Sequence, residues 1–169
     1  MTYGEHLLRP ILRAAWEADT CDPHDLSDWH PGNPARGQCG VTALIIQDLL
    51  GGELILGEVL VGGTKAGHHY WNRLPDGREV DLTADQFAAQ EVVVGGRVQQ
   101  RRPGPPARCR RQYETLRQRV LAALDGGAAQ SGSSSWRLNR SSTPAGGHAT
   151  ASAIASPASR RSTSCQPSQ

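Results

Sequence analysis

Three residue types that together perform thiol-dependent acyl chemistry occur in order along the first half of the chain, at Cys39, His69 and Asp81. A thiolate attacks a carbonyl carbon, an imidazole takes the thiol proton, and a carboxylate orients the imidazole and stabilises its charged form. The sequence therefore predicts a cysteine-dependent hydrolase or acyltransferase for an amide, ester or thioester. We expect a small-molecule or peptide acyl substrate, with no metal and no cofactor.

Cys39 lies at the start of a helix predicted over residues 38–50, where the first backbone N–H groups lack partners within the helix. Such a helix end stabilises an anion and thereby favours the thiolate form of a cysteine. Gly40 would let a substrate carbonyl approach the backbone closely, and Gln38 is a candidate donor to the oxyanion. One helix end is thus predicted to supply both the nucleophile and an oxyanion site.

The relation between His69 and Asp81 depends on the turn at Pro75-Asp76-Gly77. Proline at the first central position, with glycine where a left-handed residue is needed, predicts a three-residue hairpin loop. Counting back along both strands from this loop puts His69, Trp71 and Asp81 on one face of the sheet. The diagonal pair His69 and Asp81 would have Cβ atoms about 7–8 Å apart, which allows their side chains to form a hydrogen bond.

A second register is open at this hairpin. The charge match between Arg73 and Glu79 favours the three-residue loop. A two-residue Asp-Gly turn would instead shift the pairing by one residue and bring His68 to the face of Asp81, so His68 is the alternative base.

The other elements predict an α+β fold, with helices packed on a small antiparallel sheet. Apolar residues three and four apart predict a first helix over 3–16 and a closing helix over 113–124. A capping-box pattern at 83–86 predicts a short helix, and residues 20–37 and the glycine-rich 62–67 are predicted loops. Strands are predicted at Glu53–Val61, 68–74, 78–83 and 92–94.

Composition predicts one domain over residues 1–125, followed by a tail over 126–169. The 169 residues are 37% hydrophobic, which suffices for one compact core. The tail consists mainly of serine, alanine, glycine, proline and arginine, without Asp or Glu, and shows no helical or strand period. This low-complexity composition predicts a disordered tail.

Charge is divided unevenly although the net charge is only +2. Residues 1–96 hold 6 Lys and Arg against 14 Asp and Glu, whereas residues 97–124 hold eight Arg and one acid. We expect the arginines to dock on the acidic body of the same chain, because the aromatic residues of a nucleic-acid stacking surface are missing between them. Nucleic acid is therefore disfavoured as a partner.

The sequence contains no apolar run near the roughly 18 residues that a membrane span requires. Charged residues and a proline also interrupt the N-terminal apolar stretch, unlike a secretory signal. The four cysteines form no close pair that would indicate a disulfide framework or a thiolate zinc site. We therefore expect a cytoplasmic protein without a membrane partner, and the sequence leaves its oligomeric state open.

Four blocks of the sequence resemble the YunG-type family of small bacterial proteins: PARGQCGVTA at 34–43, QDLLGGE at 47–53, HYWNRL at 69–74 and VDLT at 80–83. The resemblance spans about residues 10–122, and its blocks include Cys39, His69 and Asp81. This family has no established reaction, so the resemblance implies the fold and the grouping of these segments rather than an activity. The chain departs from the family in its low-complexity tail and in the arginine-rich connection over 97–111.

The order of a cysteine at a helix start, then a histidine and an aspartate on adjacent strands, also resembles papain-like and transglutaminase-like cysteine enzymes, including the arylamine N-acetyltransferase branch. This more distant resemblance implies a papain-like or transglutaminase-like core.

Two other classes of function stay open at this point. A non-catalytic binding module would hold a small ligand or a protein between the helix and the hairpin, with Trp29 and Trp71 as aromatic walls. A metal-binding module would draw its ligands from Cys21, His24, His30, Cys39 and the pair His68 and His69.

Overall fold

A computed structural model describes residues 3–131 of the chain, with side chains over 3–127. The described residues form an α+β fold, as the sequence predicts. The helices are α1 (Glu5–Ala15), α2 (Cys39–Leu50) and α3 (Arg110–Ser131), with a 3-10 helix at Ala84–Gln86. The strands are β1 (Glu53–Val61), β2 (Thr64–Arg73), β3 (Glu79–Val80) and β4 (Glu91–Gln99).

Helix α3 continues to Ser131, six residues beyond the domain boundary predicted at residue 125. The rest of the predicted tail, over 132–169, lies outside the described residues. No helix in the described part of the chain is long and apolar enough to span a membrane.

The four strands form one antiparallel sheet in the order β3-β2-β1-β4. Strands β1 and β2 are joined by Gly62 and Gly63 alone, which have φ angles of 58° and 80°. Two successive residues in the left-handed region form the tight turn that matches strand twist, so pairing resumes at once at Thr64. The predicted loop over 62–67 is therefore wrong, and β2 begins four residues earlier than predicted.

The register predicted at the second hairpin is confirmed. Arg73 pairs with Glu79 and Asn72 with Val80, and the Leu74 N–H donates to the Arg78 carbonyl at 2.8 Å. Strand β3 nevertheless has only two residues, whereas a strand over 78–83 is predicted. Regular pairing ends before Asp81 because the chain there turns toward the 3-10 helix.

Strand β4 is nine residues long, against the three predicted at 92–94. Its pairing with β1 shifts in register opposite Gly57, beside Gly95 and Gly96. These glycines leave room for Trp71, because a Cβ atom at Gly57 would lie 2.7 Å from the Trp71 ring and one at Gly96 would lie 3.0 Å from it. Glycines weaken the strand pattern of a sequence, which explains why the pattern missed most of β4.

Helix α2 packs against β2 and connects the core to the sheet. It begins at Cys39, one residue after the predicted start, and ends at Leu50 as predicted, with Gly51 as its C-cap at a φ of 75°. The buried Asn72 side chain of β2 donates to the Ala43 carbonyl at 2.9 Å, which fixes the helix on the hairpin. The main core lies among the three helices and one end of the sheet, and its largest fully buried members include Leu8, Leu12, Ile45, Ile46, Leu116 and Val120.

Docking of the arginine-rich segment on the acidic body is confirmed for three of its eight arginines. Arg101 pairs with Asp48 at 2.7 Å, Arg108 with Asp22 at 2.7 Å, and Arg119 with Asp19 at 2.8 Å. The arginine-rich segment between β4 and α3, and the first half of α3, thus pack against the acidic body of the same chain.

Candidate active site

His69 and Asp81 form the polar centre of the site. His69 Nε2 lies 2.6 Å from Asp81 Oδ2, and the histidine side chain is 1% exposed. The other carboxylate oxygen, Oδ1, accepts from the Thr83 backbone N–H at 3.0 Å and from the Thr83 hydroxyl at 3.2 Å. Both oxygens of Asp81 therefore have partners, so the carboxylate is held firmly against the ring.

The charges of this pair stabilise each other. Burial opposes the charged form of His69, but the hydrogen bonds to Asp81 and Cys39 outweigh it and raise the pKa of His69 to about 9. Burial likewise opposes ionisation of Asp81, yet His69 and the Thr83 hydrogen bonds hold its pKa below the usual value. The site therefore favours an imidazolium beside a carboxylate.

Cys39 is the first residue of α2 and is half-buried. Its thiol interacts with the His69 imidazole and contributes to the raised pKa of that ring. Nε2 of His69 is bonded to Asp81, and Nδ1 faces the Gln86 amide nitrogen at 3.3 Å. The backbone N–H groups of the first helical turn start at the same residue and are available to an anion.

Tyr70 and Gly40 lie beside the thiol. A Cβ atom at Gly40 would lie 3.9 Å from the Tyr70 ring, so the two residues are close neighbours. Burial, and then the negative charge of a Cys39 thiolate, raise the pKa of the Tyr70 hydroxyl. Sequence reasoning missed Tyr70, because alternation along β2 assigns it to the face opposite His69.

Gln86 also belongs to the site and was not predicted there. Its amide nitrogen lies 3.3 Å from His69 Nδ1 and donates to the Thr83 carbonyl at 2.9 Å. The short helix predicted from the capping-box pattern at 83–86 is present as the 3-10 helix, but the Thr83 hydroxyl bonds to Asp81 rather than capping it. The Thr-x-x-Gln pattern in the sequence could have indicated that Thr83 and Gln86 have a polar role. It indicated a helix cap, whereas in the structure Thr83 bonds to Asp81 and Gln86 faces His69.

Aromatic rings hold His69 from two sides. Trp71 stacks on the imidazole with ring centroids 5.7 Å apart, and Phe87 meets it edge-on at 4.8 Å. The Trp71 indole N–H donates to Glu79 Oε2 at 2.9 Å. These contacts fix the plane of the imidazole. A small open cavity of about 170 Å³ lies beside the ring, lined by His69, Trp71, Glu79, Asp81 and Val93.

Other predicted site residues have different surroundings. Gln38 is fully buried and its amide donates to the Glu17 carbonyl at 3.0 Å, so this side chain has a structural partner away from the thiol. The Trp29 indole donates to the Pro34 carbonyl at 3.3 Å, and Trp29 does not line the cavity beside His69.

His68 is exposed and pairs across the strands with Glu58. The structure thus brings His69, rather than His68, to Asp81.

The two remaining described cysteines differ from Cys39 in their environment. Burial, with Asp25 and Asp22 nearby, raises the pKa of Cys21 to about 12. Burial and Asp22 raise the pKa of Cys109 to about 11. Both environments therefore disfavour the thiolate, which is the form in which a thiol reacts. Within residues 3–127, no three His, Cys, Asp or Glu side chains come together as a metal site.

A larger groove lies elsewhere, between α3 and residues 101–105, and has a volume of about 1100 Å³. Arg101 on its wall is already bonded to Asp48 and lies over the Tyr113 ring. Its lining includes none of Cys39, His69 and Asp81, so we place the candidate site at the junction of α2 and the hairpin.

The fold defines a class: an α+β protein with three helices packed against a four-stranded antiparallel sheet, in which His69 of β2 is bonded to Asp81 just beyond β3. The chain belongs to the YunG family, because the family model described as YunG protein matches residues 5–125. It is similar to "Uncharacterized protein YunG" of Bacillus subtilis (strain 168), with 36% identity over 85 residues. The match covers 50% of this chain and 64% of that relative, and no solved structure matches the chain.

Proposed function

We propose that this protein is a cysteine-dependent hydrolase or acyltransferase that acts on an amide, ester or thioester through Cys39, His69 and Asp81. The observation that carries the proposal is the buried hydrogen bond between His69 and Asp81, together with the interaction of the Cys39 thiol with the His69 ring. A histidine held by a carboxylate is the base that such a nucleophile requires.

In the first half of the reaction, the proton of the Cys39 thiol passes to Nδ1 of neutral His69, and the thiolate sulfur then bonds to the substrate carbonyl carbon. The raised pKa of His69 favours the state in which this proton is on the ring. The carbonyl oxygen gains negative charge, and the backbone N–H groups at the start of α2 stabilise it. The bond between carbon and the leaving group then breaks, and the leaving group takes the proton from Nδ1. An acyl group remains on the Cys39 sulfur.

In the second half, water or an amine attacks the acyl carbon while His69 Nδ1 removes its proton. The carbon–sulfur bond breaks and the thiolate recovers that proton. Asp81 stabilises the charged imidazole in both halves. Water gives hydrolysis, whereas an amine gives transfer, so the second reactant determines which of the two activities is observed.

Support also comes from the chain order, which is that of papain-like and transglutaminase-like enzymes: a cysteine at a helix start, then a histidine and an aspartate on a hairpin. We expect a small-molecule or peptide acyl substrate, with Trp71 as part of the binding surface beside the base. We also expect the enzyme to act in the cytoplasm, as the sequence predicts.

Alkylation with iodoacetamide, followed by peptide mass spectrometry across a pH series, tests the proposal without a known substrate. Cys39 of the wild type should be labelled at least tenfold faster than Cys21 and Cys109 at pH 7. These two buried thiols are internal references in every sample. The variant His69→Ala should label Cys39 markedly more slowly than the wild type does.

His68→Ala is the matched control, because His68 is the exposed neighbour of His69 on the same strand. It should label like the wild type. Equal labelling of Cys39 in the wild type and in folded His69→Ala would refute the activated thiol, and the binding module would then be the better description. A second measurement is turnover on aryl esters, peptide amides and acyl thioesters, which Cys39→Ala should abolish.

A further inference from the structure

The two ring nitrogens of His69 have different partners. Nε2 lies 2.6 Å from Asp81, whereas Nδ1 lies 3.3 Å from the Gln86 amide nitrogen. The same amide nitrogen donates to the Thr83 carbonyl at 2.9 Å, which sets the amide with its nitrogen rather than its oxygen toward the ring. Nδ1 therefore faces a hydrogen-bond donor and is an acceptor in the neutral imidazole.

Gln86 is held in place by contacts on its backbone as well as its side chain. Its N–H donates to the Thr83 carbonyl at 3.0 Å, and its carbonyl accepts from the Asn33 side chain at 2.9 Å. The residue is 4% exposed, so water does not replace these partners. A rotation of the amide to turn its oxygen toward His69 would break the bond to Thr83. The donor is therefore a fixed feature of the site.

We propose that Gln86 is a positioning residue for His69: its amide N–H holds Nδ1 as a proton acceptor in the neutral ring and favours release of the proton after transfer. When Nδ1 gains a proton, two N–H groups face each other and the charged ring is destabilised. Asp81 and a Cys39 thiolate act in the opposite direction, and they are the charged groups that interact with the ring. Gln86 thus weakens the stabilisation of the His69 proton by these partners. This role rests on the proposed function, but its measurement does not.

Titration of His69 by nuclear magnetic resonance tests the inference directly, with Gln86→Met as the main variant. Methionine has a similar length and no N–H group, so the midpoint of the His69 titration should rise by about half to one pH unit. Gln47→Met is the matched control, because the Gln47 amide donates to a backbone carbonyl at 3.0 Å near the end of α2, and it should leave the midpoint unchanged. A role in packing alone would also leave the midpoint in Gln86→Met unchanged, and that result, or a fall, would overturn the inference.

A second measurement keeps the inference testable if Gln86→Met does not fold. In the wild type, the side-chain amide resonances of Gln86 should shift with the same midpoint as the His69 ring, because the two groups share a hydrogen bond. Amide resonances that do not change with pH would overturn the inference. Failure of the proposed function looks different: Cys39 would label equally fast in the wild type and in His69→Ala, while the His69 midpoint would still respond to Gln86→Met.

Discussion

His69 Nε2 and Asp81 Oδ2 lie 2.6 Å apart although β3, the strand that should pair the two residues, ends at Val80. Sheet pairing brings the two backbones together. The orientation of the Asp81 carboxylate then depends on Thr83, which makes two hydrogen bonds to Oδ1. The acid is thus positioned by a loop, whereas the histidine is positioned by a strand. This division determines which changes should affect the site.

Asp81→Asn should lower the pKa of His69, because the charged partner that raises it is removed. A hydrogen bond to a charged group contributes about 1.5–3 kcal/mol, which corresponds to a decrease of roughly 1–2 pH units. The measurement is the His69 titration by nuclear magnetic resonance. Asp76→Asn is a suitable control, because Asp76 bonds to Arg78 in the exposed turn. An unchanged His69 midpoint in Asp81→Asn would contradict the assigned cause.

Stability should fall at alkaline pH through His69. Its pKa of about 9 in the folded chain exceeds the roughly 6.5 of an unfolded histidine, so the folded state binds the proton more tightly. The resulting stabilisation, roughly 3 kcal/mol, is fully present below about pH 6.5 and is lost as pH rises through 9. Urea unfolding of the wild type and His69→Gln at pH 6 and pH 10 measures it. The stability difference between the two proteins should shrink at pH 10, and a constant difference would argue against the coupling.

Gly37→Ala should destabilise the protein by about 2–4 kcal/mol. Gly37 has a φ of 69°, and an added Cβ would lie 2.5 Å from Cys21 Sγ and 2.7 Å from Asp25 Cβ. Both backbone strain and overpacking therefore contribute. Gly63→Ala is the matched control, because it has a φ of 80° with no atom within 4 Å and should cost only about 1–2 kcal/mol. Equal losses in urea unfolding would mean that the Cys21 contact is unimportant.

Gly57→Ala should displace Trp71 from His69. An added Cβ would lie 2.7 Å from the Trp71 ring and 3.0 Å from the Val94 carbonyl oxygen, so the indole must move. The expected results are a shifted Trp71 indole resonance and a loss of about 1–3 kcal/mol in stability. Gly67→Ala, with no atom within 4 Å of its added Cβ, should show neither effect. An unshifted indole resonance in Gly57→Ala would mean that the sheet moves instead.

Local patterns predicted the parts of this fold that local forces determine. The turn at Pro75-Asp76-Gly77 predicted the register of the hairpin, and that register predicted the contact between His69 and Asp81. The apolar period and Gly51 gave α2 almost to the residue. Each of these features depends on residues within a few positions of one another, and a sequence pattern records such residues directly.

Contacts between distant segments were not predictable in this way. Gln86 acts through a ring 17 residues away, and Asn33 supports it from a loop 53 residues away. Strand β4 was mostly missed because its glycines accommodate Trp71, a residue of another strand. Packing partners of this kind are set by tertiary structure, which one sequence without its coordinates does not reveal.

The Asn72 hydrogen bond to the Ala43 carbonyl fixes α2 on the hairpin, and it also bears on how the chain folds. The thiol comes from the helix and the base from the hairpin, so neither half holds the complete site before they dock. Docking requires the chain between residues 39 and 69 to close into a loop. Because a longer loop costs more conformational entropy, we expect the hairpin to form before the helix docks on it. If His69 activates Cys39, the alkylation rate of the Cys39 sulfur should rise when the helix docks on the hairpin, and pulsed alkylation during refolding would measure when this happens.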